Sequence, residues 1–216
     1  MKSPQEVAAI IRRLKELYPD AACSLDYGKD YELLFSVRLA AQCTDARVNQ
    51  VTPALFARFP TLEAFAAASP EEVGEYVRSC GFWRAKARDI VASAQMLLSD
   101  FGGRVPDNME DLLRLPGVGR KTANVVLANA FHVPALAVDT HVFRVSNRLG
   151  LADAKTVEET EKQLMRAIPK KDWCDAHHWL IWHGRRVCKA QHPLCGECAL
   201  RPLCKTARAE KKAAGK

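Results

Sequence analysis

Repeated helix-start signals limit the possible folds of this 216-residue chain more than any other feature. Five segments begin with Ser, Thr or Asp and carry an acidic residue three positions later, which is the capping-box pattern that opens helices. Five further segments show apolar residues at helical spacing, and we find no sustained alternation of apolar and polar residues that would demand a strand. The pattern therefore predicts an all-α fold. The capping segments are residues 3–6, 69–72, 107–110, 156–159 and 172–175, and the periodic segments are residues 32–42, 46–59, 83–101, 121–131 and 140–149.

Basic residues are concentrated at one end of the chain. Residues 1–184 contain 23 basic and 23 acidic residues, whereas residues 185–216 contain nine basic and two acidic ones. The whole net charge of +7 therefore lies in the last 32 residues. This excess predicts a polyanionic partner, although a solvated basic tail explains residues 205–216 equally well.

Apolar runs in the chain are all short. None approaches the length of about 20 residues that crosses a bilayer. The first residues open an amphipathic helix and lack the features of a signal peptide. We therefore expect a protein that stays inside the cell without a membrane partner. The expected compartment is the cytoplasm, with association with the nucleoid if the source is bacterial.

Residues 115–123 read Leu-Pro-Gly-Val-Gly-Arg-Lys-Thr-Ala and lie between two predicted helices. Pro116 cannot continue the first helix, and Gly117 and Gly119 permit backbone angles that other residues avoid. Without side chains there, backbone N–H groups at the start of the next helix can approach a phosphate closely. The string predicts a helix-hairpin-helix that grips the DNA backbone without reading sequence, with an ordinary tight turn as the alternative.

Asp139 follows a proline-containing loop and stands at the start of a predicted helix, 18 residues after Lys121. Taken alone, Asp139 is explained by an N-cap role at least as well as by a catalytic role. The two roles are compatible, since an N-cap would also fix the direction of the carboxylate.

Four of the eight cysteines lie within 17 residues, with six, two and five residues between them. Four thiolates at such spacing can hold zinc or a [4Fe–4S] cluster. Zinc ribbons usually use two Cys-x2-Cys pairs, and only one pair here is that tight, so the spacing favours the cluster. The preceding segment, residues 173–183, is rich in His and Trp, but its spacing favours core packing over a metal site. The four cysteines are Cys188, Cys195, Cys198 and Cys204.

Together these motifs resemble the endonuclease III family of helix-hairpin-helix DNA glycosylases, over about residues 5–204. The quoted likeness covers residues 115–123, 138–141, 177–180 and the clustered cysteines. It implies a two-domain helix-hairpin-helix glycosylase fold. Residues 22–131 would form a six-helix barrel domain, residues 1–21 and 132–208 an iron–sulfur cluster domain, and residues 209–216 a disordered basic tail.

The resemblance also implies an activity. Such a protein removes oxidised pyrimidines from duplex DNA and cleaves the abasic site by β-elimination. Lys121 would be the nucleophile that forms a Schiff base with the sugar, and Asp139 would stabilise positive charge as the base leaves. The implied cofactor is a [4Fe–4S] cluster on the four cysteines. The implied partner is duplex DNA with damaged bases or abasic sites, bound by a monomer.

Several candidate DNA contacts follow from the same resemblance. Gln42 and Phe82 would fill the hole left by the flipped base, and Phe82 departs from the family, where a leucine fills this position. Basic residues around the cluster loop, including Arg201, would lie near phosphates. The remaining candidates are Asp45, Gly117, Gly119, Arg120, His141, Arg185, Arg186 and Lys189.

Two other functions stay open at this point. An adenine-specific mismatch glycosylase of the same superfamily lacks the nucleophilic lysine, so Lys121 argues against it. A DNA-binding module without catalytic activity, with a zinc-stabilised tail, would leave the pairing of Lys121 with Asp139 unexplained.

Overall fold

The computed structural model describes residues 2–214, and these residues form helices joined by loops and turns, without strands. The predicted all-α class is confirmed. None of the described helices is long and apolar enough to cross a membrane. In chain order the helices are α1 (Pro4–Leu17), α2 (Asp30–Ala40), α3 (Asp45–Arg58), α4 (Leu62–Ala67), α5 (Pro70–Val77), α6 (Trp83–Asp100), α7 (Met109–Leu112), α8 (Arg120–Ala130), α9 (Thr140–Leu149), α10 (Val157–Ala167), α11 (Trp173–Arg186) and α12 (Lys205–Ala214).

The chain divides into two compact units. One is Cys23–Val133, and the other combines Met1–Ala22 with Pro134–Lys216. Short 3₁₀ helices supplement the α-helices at Arg78–Cys80, Lys170–Asp172 and Arg201–Leu203.

Side-chain caps start the helices where the sequence predicts them at three sites, two of which form the full reciprocal capping box. The Ser3 hydroxyl accepts from the Glu6 N–H at 3.3 Å, and the Glu6 carboxylate accepts from the Ser3 N–H at 3.2 Å. The same reciprocal pair joins Ser69 to Glu72 at the start of α5. At α10 the Thr156 hydroxyl accepts from the Glu159 N–H at 3.1 Å. These side chains satisfy amide groups that the first helical turn leaves without acceptors.

Two predicted helix starts are wrong in detail. Helix α7 is capped by Asn108, whose side-chain oxygen accepts from the Asp111 N–H at 2.9 Å, and not by Asp107. Asp172 makes no side-chain cap bond to α11. The 3₁₀ helix that contains it runs directly into α11, so Asp172 has near-helical backbone angles (φ −99°, ψ 0°), whereas an N-cap needs an extended backbone.

Two helices were not predicted. Helix α4 has only six residues, which is too short for a periodic pattern to be recognised. Helix α12 covers most of the tail expected to be disordered from residue 209, and residues 215–216 lie outside the described residues.

An aromatic cluster forms the centre of the Cys23–Val133 unit. The ring of Phe65 on α4 lies 5.0 Å from that of Phe35 on α2 and 5.1 Å from that of Phe59, measured between centroids. Helix α6 packs against α4 and α5, and α2 packs against α8. Because α2 and α6 are held in this core, the loops at their ends are presented from a rigid base.

The other unit joins the two ends of the chain. Helix α1 packs against α11, and the Tyr18 hydroxyl lies 2.9 Å from Nδ1 of His183 in a hydrogen bond. On the surface, Arg208 of α12 donates to the Glu6 carboxylate at 2.6 Å. Hydrogen bonds from Lys2 and Arg208 hold the pKa of Glu6 at about 2.

The histidines of α11 are buried. His177 and His183 are each 1% exposed and His178 is 8% exposed, on the same helix as the buried Trp179. Burial lowers the pKa of His178 to about 4, well below the ordinary value of 6.5. His178 is therefore neutral in the folded protein at pH values where it is protonated in the unfolded chain.

This difference predicts a pH-dependent contribution to stability. Between pH 6.5 and about 4 the unfolded chain binds a proton at His178 that the folded protein does not, so lowering the pH favours unfolding. We expect the difference in unfolding free energy between the wild type and His178→Gln to narrow as the pH falls through this window. Urea denaturation at several pH values measures it, with His132→Gln, at an exposed position, as the control. A difference in unfolding free energy between the wild type and His178→Gln that does not change with pH contradicts the prediction.

Candidate nucleic-acid interface and metal centre

A tight turn connects α7 to α8 and leaves the start of α8 at the surface. Leu115 and Val118 are 2% and 8% exposed, and the Val118 N–H donates to the Leu115 carbonyl at 3.1 Å. Gly119 is the N-cap of α8 in an extended conformation (φ −98°, ψ 174°). The first N–H groups of a helix have no acceptor within it and carry partial positive charge, so this end of α8 suits an anion.

The two glycines of the turn have different requirements. Gly117 has φ +72°, and a Cβ there would overlap the Arg38 guanidinium and the Asp89 carboxylate. Those two side chains form an ion pair at 2.6 Å directly behind the turn. A Cβ at Gly119 would meet open space. Gly117 is therefore required by conformation and packing, whereas Gly119 leaves the exposed side of the turn clear.

Lys121 is the second residue of α8 and is exposed, immediately after the exposed Arg120. Lys121 therefore belongs to the first helical turn, whose backbone N–H groups suit an anion. The structure therefore brings Lys121, Arg120 and the two hairpin glycines into one exposed segment.

Gln42 and Phe82 lie at the surface of the same unit in strained conformations. Both have left-handed backbone angles, with φ of 55° and 46° respectively. Such angles are uncommon for residues with a side chain and often mark functional segments. Phe82 is 71% exposed at the N-cap position of α6. Asp45, the first residue of α3, accepts from the Ser24 hydroxyl at 3.0 Å, so its carboxylate already has a partner.

Asp139 caps α9 in the other unit. Its carboxylate accepts from the Val142 N–H at 2.8 Å, so the predicted capping role is confirmed. His141 is the second residue of α9, with Nδ1 3.2 Å from a guanidinium nitrogen of Arg144. Burial lowers the pKa of His141, although the Asp139 charge opposes that effect. Lys121 and Asp139 thus belong to different units, and the catalytic role of each stays a prediction.

The four clustered cysteines line a single cavity of about 140 Å³. Among residues 2–214, no three His, Cys, Asp or Glu side chains are arranged to hold one metal ion. The thiols instead surround a space, which is the donor arrangement that a multi-iron cluster needs. Burial raises the pKa of the Cys198 thiol, so its ionised form requires compensating positive charge.

Two arginines on α9 that the sequence analysis did not identify hold this loop. Arg148 donates to the Cys188 sulfur at 3.6 Å and to the Lys189 carbonyl at 2.7 Å. Arg144 donates to the Cys188 carbonyl at 3.1 Å. The signal was present in the sequence as two arginines four residues apart in the helix that Asp139 begins, because that spacing puts them on one helix face.

Three of the remaining basic candidates are exposed: Arg185, Arg186 and Lys189. The Arg186 guanidinium lies over the Trp182 ring, 4.2 Å from its centroid, which restricts the directions it can reach. Phosphate contacts by these three residues stay predictions.

Comparison with known proteins agrees with this geometry. The family model of HhH-GPD superfamily base excision DNA repair proteins matches residues 35–170. Endonuclease III of Synechocystis sp. is 50% identical over 206 residues, which are 95% of this chain and 94% of that protein. Endonuclease III of Bacillus subtilis is 47% identical with the same coverage. The chain belongs to the endonuclease III family of the HhH-GPD superfamily.

A solved structure of a trapped endonuclease III–DNA covalent intermediate, an estranged-adenine complex, has the same fold. Its TM-score is 0.92 at 45% sequence identity, over 98% of this chain and 100% of that one. This likeness confirms the fold class and the family resemblance stated from the sequence.

The two hairpin glycines give a matched pair of variants. Gly117→Ala should lower the free energy of unfolding by about 1–3 kcal/mol, because its Cβ meets both backbone strain and the Arg38–Asp89 pair. Gly119→Ala should leave stability within about 0.5 kcal/mol but weaken DNA binding, since its methyl group occupies the side open to a phosphate. Urea denaturation and fluorescence anisotropy with labelled duplex DNA measure the two effects. Equal destabilisation by both variants would show that Gly119 is also needed for packing.

Proposed function

We propose that the protein is a bifunctional DNA glycosylase and abasic-site lyase of base excision repair. It removes oxidised pyrimidines from duplex DNA and then cleaves the strand by β-elimination. The observation that carries this proposal is the exposed Lys121 amine in the first turn of α8, beside the hairpin amides. The 45% identity to an endonuclease III that was trapped covalently on DNA supports it.

In this proposal the hairpin holds the DNA backbone and brings the lysine to the sugar. A base stacked in a duplex cannot be reached, so the damaged nucleotide must first be flipped out. Gln42 and Phe82 enter the space that it vacates. Both are exposed on strained turns, and an aromatic ring can stack between bases.

Lys121 then acts as the nucleophile. Its neutral amine attacks C1′, the bond from C1′ to the base breaks, and the sugar opens to give an imine with Nζ. The imine acidifies the neighbouring C2′ proton, whose loss expels the 3′ phosphate oxygen. Water hydrolyses the imine and regenerates the amine. Asp139, whose direction is fixed by its bond to the Val142 N–H, stabilises positive charge on the sugar as the base leaves.

Borohydride trapping tests this chemistry. Reduction of the imine should give a stable protein–DNA adduct on lesion-containing duplex with the wild type. Lys121→Gln removes the amine at similar length, so it should bind the duplex and form no adduct. Lys162→Gln, at an exposed position of α10, is the matched control and should form adduct normally.

Asp139→Asn separates the two steps of the reaction. It keeps a cap-competent side chain and loses the charge, so base excision should slow by about a hundredfold or more. Cleavage of a preformed abasic site should slow less, because no base has to leave. If the wild-type protein cleaves no lesion-containing duplex and forms no adduct, a monofunctional glycosylase or a DNA-binding module would explain the protein better.

We also propose that Cys188, Cys195, Cys198 and Cys204 hold a [4Fe–4S] cluster. Four thiols lining one cavity fit its four iron sites, and the Arg148 guanidinium near Cys188 compensates negative charge there. When bound, the cluster would link the segment after α11, which holds Cys188, to the start of α12, which Cys204 precedes, through iron–thiolate bonds. We propose that the unit containing these four cysteines is the cluster domain and that Cys23–Val133 is the barrel domain that grips DNA. The protein acts as a monomer in the cytoplasm, on nucleoid DNA in a bacterium.

Iron analysis tests the cluster assignment. The purified protein should be yellow-brown and contain about four iron atoms per chain. Each of Cys188→Ser and Cys198→Ser should lose the iron and much of the soluble protein. Cys174→Ser, in the same unit but away from the cavity, should keep both. One zinc per chain without iron would instead support a structural zinc site.

A further inference from the structure

Lys86 is a buried lysine that the mechanism above does not use. It lies on the first turns of α6 with 1% of its surface exposed. A buried ammonium group is costly unless its N–H groups are hydrogen-bonded. Burial lowers the pKa of Lys86, and the neighbouring thiols of Cys43 and Cys80 oppose that effect. The amine keeps at least two N–H donors in either protonation state.

Both observed partners of this amine are backbone carbonyls. Lys86 Nζ donates to the Leu39 carbonyl at 2.8 Å and to the Cys80 carbonyl at 2.5 Å. Leu39 lies in the last turn of α2, and Cys80 is the last residue of the 3₁₀ helix Arg78–Cys80. Carbonyl groups at helix C-termini lack partners within the helix and carry partial negative charge. One side chain thus caps two helix ends that are 41 residues apart in the chain.

Each capped helix end leads directly into a turn that carries a residue proposed to enter the DNA. Gln42 follows Leu39 by three residues, and Phe82 follows Cys80 by two, with the left-handed Gly81 between them. Lys86 is also bonded through its backbone, since its N–H donates to the Phe82 carbonyl at 3.2 Å. Its side chain and main chain therefore hold the carbonyls on both sides of Gly81.

We propose that Lys86 is a positioning residue for base excision, which holds the Gln42 turn and the Phe82 turn at a fixed separation so that both side chains enter the DNA together. The inference rests on the proposed function, because it takes the insertion of Gln42 and Phe82 from there. Both turns contain strained left-handed residues, and such conformations persist only where the surroundings hold them. Two hydrogen bonds from a buried amine supply that constraint.

The alternative is that Lys86 only stabilises the core, and two substrates separate the two roles. Insertion is needed to expel a base, whereas a preformed abasic site has no base to expel. Lys86→Met keeps the length and the apolar stem but has no donor. It should slow single-turnover base excision by about tenfold or more, since small displacements of positioning groups have large effects on rate. Cleavage of a preformed abasic site should change by less than about threefold.

Ile90→Ala is the matched control. Ile90 is 1% exposed on the same helix, so its truncation lowers stability by loss of packing without removing a hydrogen bond to either turn. It should affect the two substrates alike. Thermal unfolding of each variant shows that the rates compare folded proteins.

A double-variant cycle supplies a readout that a structural role would not change. If Lys86 acts through Phe82, combining Lys86→Met with Phe82→Ala should slow excision by less than the product of the two separate losses. A loss equal to the product, or equal losses on the two substrates, would overturn the inference. If Lys86→Met does not fold, Lys86→Gln, which keeps an amide donor on a shorter chain, enters the same cycle with the same criteria.

Assays of the wild-type protein distinguish failure of this inference from failure of the proposed function. A wild type that neither excises a damaged pyrimidine nor forms a borohydride adduct would overturn both. A wild type that does both, together with Lys86→Met at wild-type rates, would overturn only the role of Lys86.

Discussion

An α-helix leaves its first four N–H groups and its last four carbonyls without partners inside the helix, and the candidate functional segments are built on such ends. The start of α8 presents amide groups beside Lys121, and the start of α9 is closed by the Asp139 carboxylate. The ends of α2 and of the 3₁₀ helix Arg78–Cys80 meet at the Lys86 amine. The same backbone groups that would destabilise a buried helix end therefore become binding or positioning elements.

Half-buried and buried charged side chains support the exposed turns from behind. The Arg38–Asp89 pair lies against Gly117, and the Ser93 hydroxyl donates to the Pro116 carbonyl at 3.1 Å. Lys86 serves the Gln42 and Phe82 turns in the same way. Binding residues on loops need a rigid scaffold if their geometry is to be kept, and here polar contacts to the backbone provide it. The conformations of these loops therefore depend on residues that need not touch DNA.

Positive charge in this protein serves more than one purpose. The excess in residues 185–216 favours a polyanion, yet α9 contributes two further arginines that contact the cysteine loop. Arg148 approaches the Cys188 sulfur, and the Arg186 guanidinium lies over the Trp182 ring. Part of the basic character is thus used within the protein, so net charge alone overstates what is available to DNA.

The order of residues by itself determined the all-α class, three of the five predicted capping starts, the hairpin turn and the candidate cluster ligands. These features depend on neighbours a few positions apart, such as Ser3 with Glu6 or the spacing of the four cysteines. Only the tertiary structure decided that Gly117 is required by the Arg38–Asp89 pair, that Arg148 contacts the cysteine loop and that Lys86 joins two turns. It also decided that Asn108 and not Asp107 caps α7. All but the last of these features join residues that are distant in sequence, whereas the cap of α7 is a choice between two adjacent residues. Packing decides the first kind and backbone geometry the second, and a local sequence pattern records neither.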